Sequence, residues 1–147
     1  MARKSILSPT RDLNTDDGAV LVSVVHGEQS RIAISLGWLT NLTGYALEAK
    51  IVEANNVQGS GGIPQDPLAG GQVKILTIID AVVTDRNFEV VIPATLLVDF
   101  ATTPEPGQPV YCFFELEVKD TGSSTNQLIW KPVRGLIEIR YSPTEAS

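Results

Sequence analysis

Apolar and polar residues alternate along the C-terminal part of the chain, and this alternation predicts a β-hairpin. From Cys112 to Val118 every second side chain is apolar, and most of the residues between them are charged. That period is typical of a strand with one face in water. A polar stretch at residues 121–127 follows, and residues 133–141 alternate again. Two alternating segments joined by a short polar loop predict an antiparallel pair.

Similar segments, separated by turn residues, recur through the rest of the chain. Residues 45–53 alternate, and the glycine turn before them favours a strand although Ala, Leu, Glu and Lys are also good helix formers. Residues 73–80 contain five apolar residues out of eight and predict a largely buried strand. The other predicted strands are residues 19–25, 31–36 and 88–93. About seven short strands separated by turn signals predict an all-β fold, an immunoglobulin-like antiparallel β-sandwich.

The segments outside these strands set the predicted domain limits. Residues 1–18 are polar and predict an extended N-terminal arm, residues 19–142 the β-sandwich domain, and residues 143–147 a C-terminal tail. Residues 55–72 contain five glycines and two prolines and predict a long loop. Loops of that length in a small domain are functional or mobile.

Chain length and charge limit the fold and the partners that we expect. A chain of 147 residues is long enough to fold around one core without disulfide or metal. The net charge is −6 and the eleven Lys and Arg residues are scattered. Since nucleic-acid binding needs clustered basic residues, we expect no nucleic acid as partner.

The N-terminal residues and the single cysteine indicate the cellular compartment in which we expect the protein to be made. Residues 1–9 contain two basic residues but no apolar run behind them, so they do not predict a signal peptide. No segment approaches the ~20 apolar residues of a membrane helix. Cys112 has no partner for an intrachain disulfide and lies on the apolar face of its predicted strand, where we expect a buried thiol. We therefore expect a soluble protein made in a reducing compartment.

No pattern of residues predicts catalysis, a metal or a cofactor. His26 is the only histidine and has no neighbouring ligand for zinc. The nucleophile-elbow motif Gly-x-Ser-x-Gly is absent. Asp12, Asp16 and Asp17 lack the spacing of a calcium-binding loop and predict a solvated acidic arm. We expect a protein that is not an enzyme.

Aromatic and charged residues of the strands and turns supply the candidate interface. Aromatic side chains such as Tyr45 and Tyr111 are typical of cores and interfaces, and as an alternative they could form a platform that stacks on sugars. Glu115 lies on the wet face of its strand, with cross-strand partners such as Arg134, Glu138 or Arg140. The predicted interface residues are Trp38, Trp130, Tyr141, Arg134 and Arg140.

Four segments carry a resemblance to a known family. Asn41–Ile51 (NLTGYALEAKI) is similar to a strand motif of many small structural proteins of tailed bacteriophages. Phe88–Ala94, Tyr111–Asp120 and Arg134–Ile139 match the strands that follow it. Over about residues 30–142 the chain resembles the N-terminal immunoglobulin-like domain of phage baseplate upper proteins and related tail accessory proteins.

The resemblance implies a non-enzymatic virion component. Such a protein would be made in the host cytoplasm, act in the virion, and dock by its sheet edges and loops onto tail, baseplate or capsid subunits. It would form a homo-oligomer in the particle, without a membrane or nucleic-acid partner. Baseplate upper proteins continue beyond this domain, which favours a tail or baseplate adaptor or a head-surface decoration protein. A carbohydrate-binding β-sandwich module is the alternative.

Overall fold

All regular elements of the described chain are β-strands, nine in number. The structure is a computed structural model, and it describes residues 3–7, 20–54, 71–79, 81–97, 100, 103–122 and 127–143. The strands are β1 (Arg3–Leu7), β2 (Val20–Val25), β3 (Ser30–Ser35), β4 (Tyr45–Glu53), β5 (Val73–Leu76), β6 (Ile78–Ile79), β7 (Asn87–Ile92), β8 (Val110–Asp120) and β9 (Ile129–Arg140). None of the described residues lies in a helix long and apolar enough to cross a membrane.

The strands form two sheets, which confirms the predicted β-sandwich. One sheet has the order β1-β3-β7-β6 and the other the order β2-β9-β8-β4-β5. In immunoglobulin terms β3, β7 and β6 correspond to strands B, E and D, while β4, β8 and β9 correspond to C, F and G. The predicted hairpin is present, since β8 pairs antiparallel with β9.

The core lies between the sheets and follows the alternation of the strands. Along β8, the side chains of Cys112, Phe114, Leu116 and Val118 are fully buried. Ile51 of β4 and Ile32 of β3 are fully buried as well. One face of each strand therefore removes its apolar area from water, which is the main favourable term in folding. The opposite face of the five-stranded sheet carries the charged residues of β8 and β9, and we call it the outer face.

Two pairings depart from the predicted antiparallel arrangement. β1 pairs parallel with β3, and β2 pairs parallel with β9. β1 falls within residues 1–18, so part of the predicted arm is extended and joins the edge of a sheet. Residues 8–18 of that arm lie outside the described residues, as do residues 55–70 of the predicted loop and residues 144–147 of the predicted tail.

The prediction of a largely buried strand at residues 73–80 is wrong. The segment divides into β5, an edge strand of the five-stranded sheet, and β6, an edge strand of the four-stranded sheet. At Thr77, between them, the carbonyl oxygen accepts a hydrogen bond from the N–H of Val91 in β7. The side chains of Val73 and Ile75 are 55% and 69% exposed. One short segment thus borders both sheets and leaves apolar side chains in water.

Gly44 sets the entry into β4. Its φ angle is +81°, a conformation in which residues with a Cβ are strained. The Asn41 side chain accepts a hydrogen bond from the Thr43 N–H at 3.0 Å and supports the same turn. The chain therefore enters β4 with Ala49 and Ile51 facing the core.

Candidate functional site

Three aromatic side chains pack together at one end of the sandwich. Trp38 lies in the loop after β3, Tyr45 begins β4, and Trp130 lies near the start of β9. The ring centroids of Trp38 and Trp130 are 5.2 Å apart, those of Tyr45 and Trp130 6.0 Å, and those of Trp38 and Tyr45 6.5 Å. All three are partly buried against the main core. We call this group the aromatic cluster.

The loops next to the aromatic cluster are joined by backbone hydrogen bonds. The Leu42 N–H donates to the Val83 carbonyl at 3.0 Å, and the Thr121 N–H donates to the Gly44 carbonyl at 2.8 Å. Residues 36–44, 81–86, 121–122 and 127–129 are therefore neighbours at this end, and we call them the loop tip. Its exposed apolar side chains are Val82, Val83, Leu128 and Ile129, between 51% and 62% exposed.

The geometry of the aromatic cluster is that of packed rings. The planes of Trp38 and Trp130 are inclined at 61°, so the edge of one ring meets the other. The indole Nε1 of Trp38 is buried and has no hydrogen-bond acceptor among the described residues. Since a sugar stacks on a flat, exposed ring face, this arrangement is closer to a core extension than to a stacking platform.

A group of three cations surrounds Glu115 on the outer face, and we call it the Glu115 cluster. The Arg134 Nε donates to Glu115 Oε2 at 3.0 Å, as the cross-strand position of these residues predicts. The Nζ atoms of Lys131 and Lys50 lie 3.4 and 4.0 Å from Glu115 Oε1. The guanidinium of Arg134 also lies over the Phe113 ring, 5.4 Å from its centroid. One carboxylate thus holds three basic side chains.

A second carboxylate on the outer face accepts three hydrogen bonds, and we call its surroundings the Glu138 network. Ser23 Oγ and Arg140 Nε donate to Glu138 Oε1 at 2.8 and 3.0 Å, and Tyr111 Oη donates to Oε2 at 3.1 Å. Burial by itself raises the pKa of Glu138, but these three donors outweigh it and the pKa is lowered. Burial raises the pKa of Tyr111, and the hydrogen bond to Glu138 raises it further.

A surface groove adjoins the Glu138 network. Its volume is about 490 Å³, and residues 105–109 line it together with Glu138, Arg140 and Tyr141. Arg140 is largely exposed and Tyr141 is partly buried. The predicted interface residues Arg140 and Tyr141 therefore both lie at this groove.

Cys112 is confirmed as a buried thiol. Burial raises its pKa to about 12, with a smaller contribution from the negative charge of Glu53. Because only the thiolate is reactive, this residue is inert in the folded protein. Within the described ranges, no three or more His, Cys, Asp or Glu side chains are grouped closely enough to hold a metal ion. Asp12, Asp16 and Asp17 lie outside those ranges.

The predicted interface residues fall at three separate places. Trp38 and Trp130 meet in the aromatic cluster, Arg134 belongs to the Glu115 cluster, and Arg140 and Tyr141 border the groove. Their role in an interface stays a prediction. Sequence reasoning missed the exposed apolar residues of β5 and of the loop tip. For β5, the apolar residues of the segment 73–80 were interpreted as buried.

Comparisons with known proteins bear on shape only. No model of a known protein family matches the chain, and no curated protein matches it. Among solved structures, the chain is similar to the N-terminal domain of phage TP901-1 ORF48, with 9% sequence identity and a TM-score of 0.47. The alignment covers 94% of this chain and 98% of that one. At this identity and score, the role of that domain is not transferred to the chain.

Proposed function

We propose that the chain is a non-enzymatic structural component of a tailed phage particle, where it acts by docking onto other virion proteins. The proposal includes a tail or baseplate adaptor and a head-surface decoration protein. The resemblance described above concerns segments that form β4, β7, β8 and β9. These strands make up the centre of both sheets. The similar residues are therefore those that build the sandwich.

The observation that carries the docking role is the position of the exposed apolar side chains. They concentrate at the edge strand β5 and at the loop tip. Edge strands of soluble proteins are commonly protected by charge, proline or a bulge, because an open apolar edge pairs with other chains. β5 has the sequence Val-Lys-Ile-Leu, with a single charge. Such an edge is suited to a protein that is covered by neighbours in an assembly.

The charged groups of the outer face fit a structural role. Glu115 is surrounded by basic side chains, and Glu138 by hydrogen-bond donors that favour its charged form. In this proposal both carboxylates hold the outer face in one conformation, and neither acts as a general acid or base.

The carbohydrate-binding alternative has no specific observation in its favour. It would use the aromatic rings, but Trp38, Tyr45 and Trp130 pack against one another with tilted planes. Binding to a glycan array would be the direct measurement. A sugar site at the cluster would lose its binding on Trp130→Ala while the protein stayed folded.

Immunogold electron microscopy of purified particles tests the proposal. An antibody raised against the purified chain should label intact particles of the phage that encodes it, and the labelled end distinguishes tail from head. A phage with the gene deleted should yield particles that lack the label and have an assembly or adsorption defect. Unlabelled wild-type particles that also lack the chain in mass spectra would contradict a virion role.

A further inference from the structure

Among the described residues, the five-stranded sheet has two edge strands with no partner on their outer side, and these two strands run in opposite directions. Its edge strands are β2 and β5. β2 is parallel to β9, and the pairs β9–β8, β8–β4 and β4–β5 are each antiparallel. It follows that β2 and β5 are antiparallel to each other. If a second copy in the same orientation stands beside the first, its β2 meets β5 as an antiparallel neighbour.

The register shows which backbone groups of β5 are open. The Glu53 N–H donates to the Gln72 carbonyl at 3.2 Å. Bonded and non-bonded pairs alternate along an antiparallel ladder, so Lys74 also bonds to β4, whereas Val73 and Ile75 direct their N–H and C=O groups away from it. The side chains of Val73 and Ile75 lie on the outer face and are the exposed apolar residues of this edge.

β2 is parallel to β9, and along a strand in a parallel pair alternate residues direct both their N–H and C=O groups to the neighbouring strand. The His26 N–H donates to the Arg140 carbonyl at 2.9 Å, so Val24 bonds to β9 as well, whereas Ser23 and Val25 direct their backbone groups to the open edge. Ser23 lies on the outer face, where its hydroxyl meets Glu138. On both edges, therefore, the residues with open backbone groups have side chains on the same face of the sheet.

We propose that β5 of one copy pairs with β2 of the next copy and continues the five-stranded sheet across the junction. The register that satisfies both edges places Val73 opposite Val25 and Ile75 opposite Ser23 of the second copy. The Val25 carbonyl already accepts the Glu28 N–H at 3.0 Å. Three bonds remain for which the described residues offer no competing partner: Ile75 and Ser23 exchange two, and the Val25 N–H donates to the Val73 carbonyl.

Charge and apolar exposure favour this β5–β2 junction over the symmetric β5–β5 and β2–β2 pairs. In the β5–β5 register that uses the outward groups of both Val73 and Ile75, Lys74 of each copy would stand directly opposite the other, and like charges opposite one another are destabilising. In the β5–β2 pair, Lys74 stands opposite the uncharged Val24. A β2–β2 pair would avoid the charge too, but it would leave Val73 and Ile75 in water. The four-stranded sheet offers no equivalent junction, because its edge strand β6 has only two residues.

The junction uses different surfaces of the two copies, so it does not stop at a dimer. A head-to-tail contact of this kind repeats, and it either closes into a ring or continues as a filament. The inference rests on the proposed function in one respect, since it names a second copy as the first docking partner. It concerns the purified chain alone, whereas labelling of particles tests the virion role.

Light scattering coupled to gel filtration measures the prediction. The wild-type chain should have a mass of at least three copies, against 15.8 kDa for one copy. Ile75→Pro removes an outward N–H from an edge where proline is tolerated, and should reduce the protein to monomer. Ser23→Pro should do the same at the other edge. Ile75→Thr and Ser23→Ala keep the backbone donors and serve as matched controls that still associate, and circular dichroism checks the fold of each variant.

A mixture of the two proline variants gives the sharpest result. Each variant retains one intact edge, β2 in Ile75→Pro and β5 in Ser23→Pro. Mixed in equal amounts, they should form a heterodimer and nothing larger. A wild-type monomer at all concentrations would overturn the proposal. A homodimer that survives in one variant would overturn it too, in favour of a symmetric β5–β5 or β2–β2 contact. Neither result would affect labelling of the virion.

Discussion

Trp38 and Trp130 pack edge to face with 5.2 Å between their ring centroids, and this contact ties the loop after β3 to the start of β9. β3 belongs to the four-stranded sheet and β9 to the five-stranded sheet. The contact therefore closes the core at the loop tip. Tyr45 lies against both rings and completes the aromatic cluster.

Truncation of the tryptophans should reveal this coupling. Trp38→Ala and Trp130→Ala should each lower the free energy of unfolding by about 2–3 kcal/mol, less than a fully buried tryptophan because both rings are partly exposed. The double variant should lose about 0.5–1.5 kcal/mol less than the sum, since each ring loses its partner only once. Urea unfolding measures these values. Tyr141→Ala, at an aromatic residue outside the cluster, is the control. If the losses in free energy of unfolding of the two tryptophan variants simply add, the coupling is contradicted.

The Glu115 cluster should depend on its carboxylate. Glu115→Gln leaves Arg134, Lys131 and Lys50 close together without a counter-charge, so we expect a loss of about 1–3 kcal/mol. The loss should shrink when salt screens the repulsion between the cations. Glu117→Gln is the matched control on the same strand. Glu117 stands directly opposite Glu48, so its neutralisation should be neutral or slightly stabilising.

Glu138 should contribute to the acid sensitivity of the fold. Its pKa is lower when folded than its ordinary value of 4.5, so its contribution to stability is complete above pH 4.5 and is lost as the pH falls through the folded value. Glu138→Gln should therefore be less stable than wild type at neutral pH, and the two should converge in acid. Thermal unfolding as a function of pH measures this. Glu105→Gln, in the same groove, should leave the curve unchanged.

Cys112 should label only after unfolding. A rise in pKa from 9.0 to about 12 lowers the thiolate fraction near neutral pH about a thousandfold, and the side chain is fully buried. Reaction with a chromogenic disulfide reagent should be slow in buffer and complete in denaturant. Rapid labelling in buffer at the rate of a free thiol would show that β8 opens locally. Cys112→Ala should abolish the signal and serves as the blank.

Alternation predicted the central strands because it reports burial directly. Along β8 every second residue must enter the core, so the apolar period identified the strand and the buried Cys112. Of the three cross-strand partners offered for Glu115, the structure places Arg134 opposite it. The predicted strand at residues 45–53 is confirmed as β4 for the same reason. In these segments local pattern and tertiary burial agree.

The segment at residues 73–80 was ambiguous because it is rich in apolar residues without a regular alternation. Such a segment is typical of a strand that is buried on both faces. The residue pattern alone does not distinguish that case from an edge strand whose apolar side chains are exposed. The structure resolves it by placing β5 and β6 at the edges of different sheets. The exposure of Val73 and Ile75 follows from their place in the sheet order, which no local pattern contains.

By itself the sequence determined an all-β chain, the inward faces of its central strands and a buried thiol. Only the tertiary structure decided the parallel pairings of β1 and β2, the meeting of Trp38 with Trp130, and the open edges at β2 and β5. The physical reason is the separation along the chain between the residues that interact. Which face of a strand is buried depends on neighbours two residues apart, whereas strand order and edge exposure depend on contacts between segments distant in the chain.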